Sequence, residues 1–209
     1  MSRPHGSQSP DLWDPVVRVS HWVIAGVVVG NALLNKGGGT VPVWLGWIGM
    51  AFLIVRLVWG LVGRAEARFS AFPPRPRAAI AHLRHLLRGE PPEYRSHNPA
   101  GTLMIYALWA SLAIVIGTGL VLTKGATPWE IGRQQAAVAQ GDWSALVSES
   151  DEGDGAVPDG KGGHLIANIH HLGGNLLILL AVIHLGGVAA ESMALRRNIV
   201  RPMLLGRRH

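Results

Sequence analysis

Four histidines of this chain lie within apolar stretches, His21 in the first and His170, His171 and His184 in the last. A polar side chain in hydrocarbon is costly and by default marks a functional site. His170 and His184 are 14 residues apart, which at about 100° per residue leaves them about 40° from one helical face and about 21 Å apart along the axis. One face of one helix therefore presents an imidazole near each membrane surface. His21 lies five residues after the start of its span, and with the last helix running inward His184 reaches the same depth. Two imidazoles facing each other at one depth, on different helices, are what a six-coordinate haem b requires: one axial nitrogen per side and an apolar slot for the macrocycle. Gly26 and Gly30 follow His21 at helical spacing, and Gly173, Gly174, Gly186 and Gly187 thin the last helix beside its histidines. Ordinary close helix packing uses the same small residues.

The elements that must position these groups are membrane helices. Of 209 residues, 48% are apolar and only 15% charged, which excludes an ordinary soluble domain. The expected fold is all-α, an integral membrane four-helix bundle formed by residues 1–209 as a single domain, with spans at about 16–34, 43–62, 103–122 and 165–190. The first span is preceded by Asp11 and Asp14, carries Arg18 in its first turn and lacks a small-residue cleavage pattern, so it reads as retained. Zero cysteines rule out disulfides, iron–sulfur clusters, thiolate zinc and covalently attached haem, so histidine must hold any metal. Eight tryptophans suit the two wet–dry boundaries of a bilayer.

Charge orients the spans. The loop 63–100 carries seven arginines against three glutamates, and the C-terminal tail adds Arg196, Arg197, Arg201, Arg207 and Arg208, whereas the outer loop 123–164 is acidic. By the excess of basic residues, both termini and loop 63–100 are expected to be cytoplasmic in a multi-pass membrane protein. The arginines flank hydrophobic spans where anionic headgroups lie and include no groove-reading motif, so the net charge of +6 points to lipid and not to nucleic acid. Within the cytoplasmic loop, residues 77–88 place apolar side chains at 80, 83, 86 and 87, the spacing of a short amphipathic helix on the membrane surface. Its histidines His82 and His85 read as exposed interfacial side chains among arginines, not as a metal pair. Outside, a short helix is expected around residues 129–138, and the run from Glu149 to Asp154 reads as a solvated linker or as a surface steering a basic partner.

The sequence resembles the bacterial cytochrome b561 family, together with the related cytochrome b subunits of nickel–iron hydrogenases and formate dehydrogenases. The resemblance rests on Trp13-Asp-Pro-Val-Val-Arg-Val-Ser-His-Trp22, on Gly46 to Gly60 ending in Arg56-Leu-Val-Trp-Gly60, on His97-Asn-Pro-Ala-Gly101, on Ile169-His170 with His184 fourteen later, and on Gly187-Val-Ala-Ala-Glu-Ser-Met193 leading to Asn198-Ile-Val-Arg-Pro-Met-Leu-Leu-Gly-Arg207. It implies two b haems stacked across the membrane, passing electrons between a quinone and a redox partner at the outer face, such as a c-type cytochrome or a hydrogenase. It also implies that His21 and His184 hold the cytoplasmic-side haem, and that His170 holds the outer one together with a histidine at the outer start of the second helix.

There the sequence departs from the family pattern. The expected second ligand falls at Pro42, and the second span contains no histidine. The outer haem then takes another sixth ligand, stays five-coordinate on His170, or is absent; His170 with Gly173 and Gly174 still resembles half of its pocket. His171 points about 100° away from His170, His164 lies outside the span on a flexible approach, and Met50 lies two turns too deep. Arg56, in the cytoplasmic half of the second span, either pairs with a haem propionate or snorkels to the headgroups. His97 is a boundary residue or a quinone contact. The function expected is a membrane b-type cytochrome, possible as a subunit of a quinone-linked oxidoreductase. The competing class is a histidine-bearing bundle for proton or metal transport, and a haem-containing anchor without quinone turnover is a third reading.

Overall fold

The computed structural model describes residues 14–34, 39–90, 92, 94, 98–142 and 161–205. It is all-helical, with no strand among the described residues. Among the described residues seven α-helices occur in the order α1 (Pro15–Leu34), α2 (Thr40–Val62), α3 (Pro76–Leu87), α4 (Pro99–Leu122), α5 (Pro128–Ala139), α6 (Lys161–Ala194) and α7 (Val200–Leu205), with two single 3-10 turns, Ala65–Ala67 and Phe69–Ala71, between α2 and α3. Helices α1, α2, α4 and α6 are long and apolar enough to cross a membrane. Their large apolar side chains are mostly turned outward, Leu33, Leu61, Val62, Leu172 and Leu185 among them. Such a surface is untenable in water and ordinary against lipid.

The observed helices extend past the expected spans at their polar ends. Helix α6 begins at Lys161 and so takes in His164, which therefore stands on a regular helical turn and not on a flexible approach. Six residues of helix separate it from His170, about 120° around the axis, so it cannot fold back to the same pocket. Pro42 is the third residue of α2, where its missing N–H deprives the helix of no hydrogen bond. Helix α5 starts with a capping box: Thr127 Oγ1 accepts from the Glu130 amide at 3.4 Å, and the Glu130 carboxylate accepts from the Thr127 amide at 2.5 Å and from its hydroxyl at 2.7 Å. These hydrogen bonds hold the Glu130 carboxyl below the usual carboxylate range. Helix α7 was not among the expected elements; Asn98 of loop 63–100 and Glu149 to Asp154 of the outer loop differ in that the first is described and the second lies outside the described residues.

The chain divides into two compact units. One consists of residues 1–22, 55–106 and 183–209, the other of residues 23–54 and 107–182. In the second unit Leu53, Leu112 and Leu177 form a buried cluster, with Ile24, Val28, Leu108, Trp109, Val115 and Ile116 packed against it, so segments of all four long helices share one apolar core. Helix α5 rests against the start of α2 in this unit: the Thr40 hydroxyl donates to Gln135 Oε1 at 2.7 Å, Trp44 and Trp129 meet edge to face at 4.8 Å, and Trp47 Nε1 donates to the Ala126 carbonyl at 3.3 Å.

In the first unit polar ties join chain segments that are distant in sequence. Arg18 donates through Nε to the Met203 carbonyl at 3.1 Å and through Nη2 to the Leu204 carbonyl, satisfying carbonyls at the end of α7 that the helix itself leaves unpaired. Gly60 is required by close approach: a Cβ there would lie 2.4 Å from the Phe69 ring. That contact seats the 3-10 turns against α2.

Candidate functional site

In the first unit the His21 and His184 rings, carried by α1 and α6, have centroids 6.3 Å apart with an interplanar angle of 64°. Both are partly buried. Helix α1 is anchored close by, because Ser20 returns its hydroxyl to the Val16 carbonyl at 2.7 Å and Asp14 caps the Val16 amide at 2.8 Å. Arg56 lies in the same unit and is only 4% exposed. Its two terminal nitrogens each reach the Ala67 carbonyl at 3.5 Å, and its guanidinium carbon stands 6.0 Å from the centre of the Phe72 ring. A buried guanidinium seated on the 3-10 turns does not snorkel; of the two expectations for Arg56, the structure disfavours that one by burial alone.

His82 is a correction to the sequence reading. It is not an exposed interfacial residue but 2% exposed, with Nε2 3.9 Å from Glu191 Oε1 and its ring 5.5 Å from that of Tyr94. Helix α3 has two different faces. Ile80, Leu83 and Leu87 are exposed, as a surface-lying helix requires, while Ala79 and His82 point inward. The spacing from 79 to 82 is itself a helical repeat, and a small residue one turn before a histidine was the available signal. His85 is exposed as expected. Glu191 in turn accepts from the Asn98 side-chain amide, while Asn98 Oδ1 accepts from the Gly101 amide at 2.6 Å and so caps α4. His97 lies outside the described residues.

In the second unit His170 is partly buried against α4. Its Nδ1 is 2.9 Å from the Thr118 hydroxyl oxygen, and a Cβ at Gly119 would come within 3.3 Å of its Cε1. Thr118 was invisible in the sequence, a single hydroxyl inside an apolar run. His171, with its ring centroid 6.0 Å from that of His170, is exposed. No group of three or more histidine, aspartate or glutamate side chains able to hold a metal ion occurs among the described residues.

Four long apolar helices, two of which carry partly buried histidines, define a multi-pass helical membrane protein. The family model described as prokaryotic cytochrome b561 matches residues 12–206, nearly the whole chain. The chain belongs to that family, and is thus a membrane b-type cytochrome that binds haem b and transfers electrons. No curated protein and no solved structure matches it.

The residues present fit that group. His21 and His184 would be the two nitrogen donors to a haem iron, brought by two different helices to a ring-centroid distance of 6.3 Å. His170 offers a single imidazole, and Pro42 has no donor atom to set against it.

Proposed function

We propose that the chain carries two b haems, the first between His21 and His184 and the second on His170, and moves electrons between the quinone pool and a redox partner at the outer face of a bacterial inner membrane. The observation that carries this reading is the approach to 6.3 Å of two imidazoles that are 163 residues apart in sequence (184 − 21). Haem b, when bound, supplies a one-electron couple. In this reading His21 and His184 would supply the nitrogen donors, the apolar faces of the helices would exclude water, and the Arg56 guanidinium would pair with a propionate. His170 has no counterpart on α2, which favours an open coordination position at the second haem.

The orientation rests on arginine bias: Arg64, Arg68, Arg75, Arg77, Arg84 and Arg88 lie between α2 and α4, so that segment and both termini are cytoplasmic in this reading. An alkaline phosphatase fusion after Gln140 is then active and one after Arg84 inactive. The test of function is purification from the native membrane, followed by a haem-per-chain measurement and reduction by a quinol. Two haems per chain, both reducible by quinol, are expected; a colourless protein, or haem that no quinol reduces, overturns the proposal.

A further inference from the structure

Thr118 has one hydroxyl proton, and its surroundings say where that proton goes. Oγ1 is 2.7 Å from the Ile114 carbonyl and 3.2 Å from the Val115 carbonyl, the usual return of a helical threonine to the preceding turn. Carbonyl oxygens only accept, so the hydroxyl donates to them. Its oxygen retains a lone pair, and the remaining neighbour at hydrogen-bond distance is His170 Nδ1 at 2.9 Å. The roles at that contact follow the tautomer of the ring. With the hydroxyl proton on a carbonyl, Nδ1 is the donor, the proton of the neutral ring lies there, and Nε2 has a free lone pair. Gly119 lies beside the ring: a Cβ there would come 3.3 Å from Cε1 and 3.7 Å from Nδ1, so the Nδ1–Cε1 edge would have to shift by a few tenths of an ångström.

We propose that Thr118 is a positioning residue for His170: it fixes the tautomer that leaves Nε2 free to bind iron, and holds the ring by its opposite nitrogen. This rests on the reading that His170 holds the second haem. A hydrogen bond from the remote nitrogen orients an imidazole ligand and makes it more basic, and outer partners of this kind are worth about 10–100-fold in metal affinity. Greater basicity also favours the ferric state, so Thr118 holds the midpoint potential of the second haem down.

The test uses the purified full-length protein. The spectrum of the haem between His21 and His184 serves as an internal control for folding. His170→Ala removes the second haem and spares the first; if haem content does not change, the assignment of His170 fails, and with it the proposal. With that loss established, Thr118→Val is expected to release the second haem at least about tenfold more readily to a haem scavenger and to raise its midpoint potential, with Thr118→Ser restoring both. Unchanged retention and potential in Thr118→Val overturn the role of Thr118 while leaving His170 as the ligand. Should valine disturb both haems, the unsubstituted protein decides by pulsed electron paramagnetic resonance in light and heavy water. An exchangeable proton on the nitrogen remote from iron is expected, and its absence overturns the proposal.

Discussion

In the unit that contains His21 and His184, two imidazoles from different helices stand 6.3 Å apart, whereas in the other unit His170 leans on a hydroxyl of α4 at 2.9 Å. The first arrangement has two candidate donors for one iron, and the second has one donor with a partner behind it. The surroundings differ in the same sense. Around the pair, polar ties run between distant segments: Arg18 to the end of α7, Asn98 to Glu191, Arg56 to Ala67. In the unit of His170 the core is the apolar cluster of Leu53, Leu112 and Leu177, and Gly119 lies beside the ring. In the proposed reading one family pattern is kept at one site and relaxed at another, each site being held by its own set of contacts.

The largest expected effect breaks the pair. His21→Ala and His184→Ala should act alike, each abolishing the low-spin haem spectrum of that unit, because either loss leaves the same iron one ligand short. A full bis-histidine spectrum in one variant but not in the other would show the pairing to be wrong. The next substitution tests the relaxed site. Pro42→His should convert the haem on His170 toward a low-spin centre and suppress its binding of carbon monoxide, read by difference spectroscopy. An unchanged carbon monoxide signal would place the missing ligand elsewhere.

How far these sites were legible follows from the kind of signal each one gives. Apolar length located the four long helices, and the spacing of apolar residues located α3 and α5, because burial in lipid or at its surface imposes a pattern on composition. The histidines in the long helices stood out for the same reason. His82 did not, because α3 was judged by its exposed apolar face alone, and the inward face holds only Ala79 and His82 as buried residues. Thr118 lacked any signal of its own: a helical hydroxyl that returns to its own backbone looks alike whether or not a histidine stands beside it. The significance of Pro42 came through family resemblance, since a proline in a first turn is unremarkable by itself.

A smaller effect is expected where the reading of α3 was corrected. His82→Ala should cost about 2–3 kcal/mol through lost packing and a poorly satisfied Glu191, and His85→Ala should stay within about 0.5 kcal/mol. Thermal unfolding in detergent, followed by the haem absorption, compares them; equal effects would contradict the inward placement of His82. The smallest effect belongs to the capping box of α5. The folded-state pKa of Glu130 is lowered by its hydrogen bonds to Thr127, so its contribution is present above the ordinary carboxylate pKa and is lost as pH falls through the lowered value. Amide protection factors in residues 128–139, corrected for the intrinsic pH dependence of exchange, should therefore fall slightly on acidification, and Thr127→Ala should remove that pH dependence.

The most direct test of the contrast between the two sites is electron paramagnetic resonance of the purified, unsubstituted ferric protein, paired with carbon monoxide binding after reduction. One low-spin haem that carbon monoxide leaves untouched and one high-spin haem that binds it, in equal amounts per chain, are the predicted result. Two low-spin haems that both refuse carbon monoxide, or a single haem per chain, would contradict the account.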